Sequence, residues 1–119
     1  IHVPVAEDTR GMVDDEFLAG MKNDAILINT ARGEIVDNDA LARALESDAI
    51  LAAGLDVIAP EPVLPDNPLL NLSEKASRKL VLSPHVGGIT EGMFHRAHRN
   101  VWDNIERVLN GKTPVNVIV

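Results

Sequence analysis

Three short apolar runs constrain the fold most. They are Ala25-Ile26-Leu27-Ile28-Asn29, Leu51-Ala52-Ala53-Gly54-Leu55-Asp56-Val57 and Lys79-Leu80-Val81-Leu82. Stretches with helical or loop character separate them, and a polar cluster follows each one. A strand that is followed by a helix and then another strand reads as a βαβ unit, in which the helix carries the chain back and successive strands run parallel. The fold expected is therefore α/β with a parallel sheet. The second run is almost wholly apolar, the character of a strand covered on both faces.

The intervening segments carry start and stop signals. Asp14-Asp15-Glu16 places acidic residues in a first turn, with Phe17, Leu18 and Met21 on one side of a short helix. Asp37 or Asn38 caps a helix running to about Ser47, with Leu41, Ala44 and Leu45 on the face that packs on the sheet. Between Ile58 and Arg78 four prolines, Pro60, Pro62, Pro65 and Pro68, break any long element, leaving an ordered loop with one short helix. Ser83-Pro84 stops the third strand, because proline cannot donate to a ladder. Thr90 is the expected cap of the longest helix, which aligns Met93, Ala97, Val101, Ile105 and Leu109 and stops at Gly111 and Pro114.

Length and composition exclude several classes of function. A chain of 119 residues is one domain or part of one, and 45% hydrophobic with 24% charged residues is the balance of a globular protein. A net charge of −7 without clustered Lys or Arg argues against nucleic-acid binding. Without cysteine there is neither a disulfide nor a thiolate metal site, and no run resembles a signal peptide or a membrane span, so a cytoplasmic location is the default. The opening Ile1-His2-Val3-Pro4-Val5 reads as the tail of a strand, and the chain is expected to begin inside a domain. Residues 1–110 would be part of that domain. Residues 111–119, ending in the apolar Val115-Asn116-Val117-Ile118-Val119, would return toward a second one.

The chemistry collects behind the strands: Thr30-Ala31-Arg32-Gly33 after the first, Asp56 at the end of the second, Ser83-Pro84-His85-Val86-Gly87-Gly88 after the third. Open parallel sheets bind ligands outside the carboxyl ends of their strands, so residues distant in sequence can meet around one small molecule. Arg32 offers a planar fork suited to a carboxylate and an adjacent carbonyl oxygen. Glu61, one short loop beyond Asp56, can reach the imidazole of His85. A carboxylate in that position fixes the ring and favours its protonated form, making an acid for a reacting oxygen. An anchored carboxylate, a polarised carbonyl and a proton donor describe reduction of a 2-keto acid, with the hydride brought by something else.

Taken singly, each residue has a plainer reading. Arg32 reads as a surface ion pair, His85 as a loop residue bonded to backbone, Glu61 as a solvated charge, Asp56 as a turn cap and Gly87-Gly88 as permissive backbone. His95 and His98 lie three apart on one helix, but a metal site needs further ligands, and no metal is expected. Trp102 and Phe94 read as packing residues.

Read together, the motifs are more specific. Ile28-Asn29-Thr30-Ala31-Arg32-Gly33-Glu34-Ile35-Val36-Asp37, Gly54-Leu55-Asp56-Val57 with Glu61-Pro62, and Ser83-Pro84-His85-Val86-Gly87-Gly88-Ile89-Thr90 resemble, in content, order and spacing, three signatures of the D-isomer-specific 2-hydroxyacid dehydrogenases. His2-Val3-Pro4 with Asp8-Thr9-Arg10 resembles the segment before them. The resemblance implies the C-terminal half of a doubly wound, Rossmann-type nucleotide-binding domain. It also implies catalysis by Arg32, which binds substrate carboxylate and carbonyl, by His85 as acid/base and by Glu61 as its partner. Asp56 would hold the nicotinamide carboxamide, with His2, Val3, Pro4, Thr9, Thr30, Ala31, Gly87 and Gly88 along the dinucleotide.

The cofactor implied is NAD or NADP, the substrate a small D-2-hydroxy acid or 2-keto acid, and the assembly a homodimer. No Gly-x-Gly-x-x-Gly occurs in the chain, and the residue that would choose between NAD and NADP is absent, so that preference stays open. The family's substrate domain is absent too, and the segment by itself is expected to be inactive, with an exposed sheet edge and apolar faces. Its relatives include transcriptional corepressors that use the same fold as a nucleotide-responsive platform, which keeps a binding protein without turnover as the alternative.

Overall fold

The computed structural model describes residues 1–117, so Ile118 and Val119, the end of the expected return segment, lie outside the described residues. The chain divides into two compact units, one comprising Ile1–Val86 and the other beginning at Gly87.

The first unit holds a three-stranded parallel sheet in the order β1-β2-β3: β1 Ile26–Asn29, β2 Ala52–Leu55 and β3 Leu80–Leu82. The register sets Ile28 beside Gly54, and Gly54 beside Val81. Helix α2, Asn38–Glu46, joins the first two strands, with Asp37 as its cap, accepting from the Asp39 and Ala40 N–H groups. Leu41, Ala44 and Leu45 are buried, as their spacing predicts. With Val13, Leu18, Leu27, Ile35, Ile50, Leu55 and Leu69 they form one core.

The other face of the sheet is different. Ala52 and Gly54 of β2 are only half-buried, and Ile26, Ile28 and Val81 are 56%, 49% and 69% exposed. The apolar run predicted a strand covered on both faces, but only the face carrying Ala53 and Leu55 is. The run reads as doubly buried because Ala and Gly count as apolar while presenting almost no side chain.

Two local expectations are also revised. Helix α1, Asp15–Ala19, is a single turn closed at Gly20. Its one buried residue is Leu18, while Phe17 is exposed and Met21 lies beyond its end, because so short a helix can bury only one position. Residues 1–5 form no strand, although the Ile1 amino group donates to the Ile28 carbonyl at 2.6 Å. The proline-rich segment forms a 3-10 turn, Pro68–Leu70, capped by Asn67, and the four-residue helix α3, Glu74–Ser77, capped by Ser73.

The second unit is built on α4, Met93–Leu109. Thr90 serves its start through the backbone, accepting from the Met93 N–H at 3.0 Å, and Gly92 is the cap. Gly111, at φ 69°, ends the helix as expected. The next residues fold back on it: Asn104 exchanges two hydrogen bonds with the Val115 backbone, and Arg107 donates to the Thr113 carbonyl. None of the residues of α4 is buried.

Candidate active site

The carboxyl ends of the three parallel strands share one edge of the sheet, and Thr30, Ala31, Arg32, Asp56 and His85 follow them there. β1 ends in Asn29, a fully buried polar residue. Its amide accepts from the Ala31 N–H at 3.0 Å and donates to the Arg32 carbonyl at 2.8 Å, so the turn carrying Thr30, Ala31 and Arg32 is folded around one side chain. Sequence reading did not single Asn29 out. The available signal was a polar residue closing an apolar strand, which must find partners once buried.

Arg32 is exposed, and its Nη1 donates to the Ala31 carbonyl at 2.7 Å. Among the described residues no carboxylate pairs with it, so the surface ion pair that would explain it most plainly does not form. Arg32 borders a cavity of about 560 Å³ that His2, Val3, Pro4, Thr30, Ala31 and Glu34 also line. Thr9 supports this wall from behind: its hydroxyl donates to the Pro4 carbonyl at 2.7 Å and accepts from the Ala6 N–H at 2.7 Å.

The next two loops are stitched to the first. The Asp56 N–H donates to the Asn29 carbonyl at 3.0 Å, and the His85 N–H donates to the Asp56 carbonyl at 2.9 Å. The buried Asp56 carboxylate accepts through Oδ1 from the Ser83 hydroxyl at 2.5 Å and the Val86 N–H at 2.9 Å. Gly33 lies flat against the loop after β2, where a Cβ would stand 2.2 Å from the Ala59 nitrogen. The Ala59 carbonyl in turn accepts from Asn38 at 2.6 Å and Asn67 at 3.3 Å.

These braces hold the loop that carries Glu61. Its two oxygens sit 2.9 and 3.0 Å from Nδ1 of His85. A carboxylate only accepts, so Nδ1 carries the proton and Nε2 is left to exchange one with a ligand. Both side chains are about half exposed, at 46% and 48%, so the pair meets solvent at the surface. A second cavity, about 360 Å³, adjoins Asp56, Glu61, Ser83 and His85, with Ile58 and Val63 in its wall.

Gly87 and Gly88 open the second unit, and a Cβ at Gly88 would meet nothing within 4 Å. His95 and His98 belong to no group of metal-binding side chains among the described residues.

A parallel α/β sheet with polar clusters at the carboxyl ends of its strands is the architecture of a Rossmann-type nucleotide-binding domain. Residues 1–87 match the family described as D-isomer specific 2-hydroxyacid dehydrogenase, NAD binding domain, and the chain belongs to that family.

Among its relatives, a glyoxylate reductase of Korarchaeum cryptofilum is 40% identical over 118 residues, covering 99% of this chain and 34% of that one. The crystal structure of a D-lactate dehydrogenase with NAD+ from Lactobacillus jensenii superposes with a TM-score of 0.82 at 31% identity, covering 99% of this chain and 38% of that one. A D-isomer specific 2-hydroxyacid dehydrogenase from Xanthobacter autotrophicus, in complex with NADPH and MES, does so with a TM-score of 0.80 at 32% identity, covering 99% and 46%. The chain spans about a third of the length of the curated relatives it matches.

Proposed function

We propose that the protein carrying this chain is an NAD(P)-dependent oxidoreductase that interconverts a small D-2-hydroxy acid and its 2-keto acid. The observation that carries this reading is the bidentate approach of Glu61 to His85 Nδ1, on a sheet whose first strand leads into an arginine with no carboxylate partner among the described residues.

Arg32 binds the substrate carboxylate and the neighbouring carbonyl oxygen through its guanidinium fork, drawing electron density from the carbon to be reduced. His85 gives the proton on Nε2 to that oxygen as it gains charge. Glu61 holds the Nδ1 proton, which fixes the ring's direction and leaves Nε2 to carry the transfer. In oxidation His85 removes the hydroxyl proton through the same nitrogen.

Support for a dinucleotide at the first cavity comes from five of the residues assigned to it, His2, Val3, Pro4, Thr30 and Ala31, which line it together with Arg32. Asp56 would take the carboxamide, Thr9 would support the wall, and Gly87 and Gly88 would follow the third strand along the cofactor. When bound, the reduced dinucleotide supplies the hydride for the keto carbon.

Residues 1–110 are assigned to the C-terminal half of the dinucleotide-binding domain and 111–119 to a connection toward a substrate domain. The chain spans about a third of the relatives' length, which supports a place within a longer protein. A homodimeric parent is what the family resemblance implies, and a cytoplasmic location is the default reading of the sequence. Among the described residues no helix is long and apolar enough to cross a membrane. The relatives named above are a reductase and two dehydrogenases, which supports turnover over a binding protein of corepressor type.

The test is oxidation of NADH and of NADPH by the full-length protein with glyoxylate, hydroxypyruvate and pyruvate. The expected result is turnover that Arg32→Ala or His85→Ala abolishes. Dinucleotide binding without turnover of any keto acid would overturn the enzyme reading in favour of the binding protein.

A further inference from the structure

We infer that Ser83 is a positioning residue for the acid/base step, acting through Asp56 to hold His85 in the one backbone conformation that delivers its ring to Glu61. The inference rests on the reading of His85 as the acid/base. His85 has φ 54°, in the left-handed region that a Cβ disfavours. A histidine stays there only when its surroundings over-determine the turn.

Pro84 brings no N–H, so the turn from Ser83 to Val86 has one backbone donor fewer than its length suggests. The His85 N–H donates to the Asp56 carbonyl at 2.9 Å and to the Ser83 carbonyl at 3.0 Å, and the Val86 N–H donates to Asp56 Oδ1 at 2.9 Å. That last bond requires Oδ1 to face the turn. The Ser83 hydroxyl donates to the same oxygen at 2.5 Å, and so sets the direction of the carboxylate. Asp56 is 6% exposed, so its carboxylate relies on donors from the protein. Without the hydroxyl, the carboxylate turns to other donors, the Val86 bond weakens and His85 relaxes toward negative φ. The ring then leaves Glu61, and its proton is no longer confined to Nδ1.

Ser83 separates this role from catalysis better than Asp56 does, because Asp56 is also assigned to the cofactor and its substitution would disturb both. The experiment compares Ser83→Ala and Ser83→Thr in the full-length protein. One readout is kcat and KM for the keto acid and the reduced dinucleotide. The other is the ring nitrogen spectrum of His85 in mildly alkaline buffer, where long-range ¹H–¹⁵N correlations report which nitrogen carries the proton.

Ser83→Ala is expected to lower kcat roughly tenfold to a hundredfold, the scale of a small misplacement of a reacting group. Its His85 should become a mixture of tautomers. Ser83→Thr, which keeps the hydroxyl, should retain both the rate and the Nδ1-protonated ring. If Ser83→Ala leaves the His85 spectrum unchanged, or Ser83→Thr loses as much as Ser83→Ala, the inference is overturned. If the native protein turns over no keto acid while its tautomer still depends on the hydroxyl, the positional role stands and the dehydrogenase reading falls.

Discussion

Both oxygens of Glu61 face the same ring nitrogen of His85, at 2.9 and 3.0 Å, across 24 residues of chain. The symmetry of this contact makes the carboxylate's charge, more than one directed bond, the quantity that matters. Glu61→Gln keeps the shape and one acceptor but removes the charge, and its amide can present a donor to a nitrogen that needs an acceptor. The expected outcome is a fall in kcat of about 10²-fold or more, within the usual range for acid/base catalysis, with the circular dichroism spectrum unchanged. Steady-state kinetics of the full-length variant reads it.

Arg32 donates to the Ala31 carbonyl through Nη1, which leaves the remainder of its fork for a ligand. Lysine offers a point charge without the two parallel donors that match a carboxylate and its neighbouring oxygen. Arg32→Lys is therefore expected to raise KM for the keto acid at least tenfold, a loss of about 1.4 kcal/mol of binding. KM for the dinucleotide should move much less, and parallel titrations of the two substrates check the difference.

The parts that could be read in the sequence were those set by spacing. α2 was legible because Leu41, Ala44 and Leu45 recur at helical intervals behind a capping Asp37, and the site's edge was legible because polar clusters follow three apolar runs. What escaped depends on which groups the fold brings together and covers, which a sequence does not state. Asn29, Ser83, Asn38 and Asn67 look like ordinary polar loop or strand-end residues. Their weight in the site comes from the carbonyls and carboxylate that the fold places beside them. The half-covered sheet escaped for the same reason, since Ala52 and Gly54 count as apolar in a run without demanding cover.

Gly33 shows how closely the loops approach. A Cβ there would lie 2.2 Å from the Ala59 nitrogen and 2.5 Å from the Ile58 carbonyl carbon, both backbone atoms with no rotamer to yield. Gly33→Ala should destabilise the protein by about 1–3 kcal/mol, the usual cost of forcing extra volume into a packed place. Urea unfolding measures that cost. Because the displaced segment leads to Glu61, turnover should fall further than the loss of folded protein accounts for.

Ile26, Ile28 and Val81 form an exposed apolar strip across the sheet. Surfaces of this kind drive association. In the chain as given, light scattering should rise with concentration and a hydrophobic dye should bind. The triple variant Ile26→Thr, Ile28→Thr, Val81→Thr keeps strand-compatible shapes while making the strip polar, and should reduce both signals. A native chain that remains monomeric and dye-free at high concentration would contradict the expectation.

Away from the site, Asp48 sets an acid limit. Hydrogen bonds from Lys75 and then Lys79 hold its carboxyl at about 2, below the ordinary 3.8, against a smaller opposing effect of burial. A depressed folded-state value means that the ionised form is favoured by folding. Its contribution is complete above about pH 4 and is lost as pH falls through about 2. Glu46, lowered by the Ser73 N–H and hydroxyl, and Asp15, lowered by Arg43, act in the same direction.

Asp48→Asn should therefore flatten the dependence of the urea midpoint on pH between about 4 and 2. Asparagine is a suitable replacement because Asp48 has φ 59°, and asparagine tolerates the left-handed region as aspartate does. The change thus removes the charge without straining the turn. Lys79 retains a partner in the Leu45 carbonyl, so the variant does not leave that half-buried ammonium without an acceptor. An unchanged slope in the variant would place the acid-sensitive carboxylates elsewhere, with Glu46 and Asp15 the next to replace.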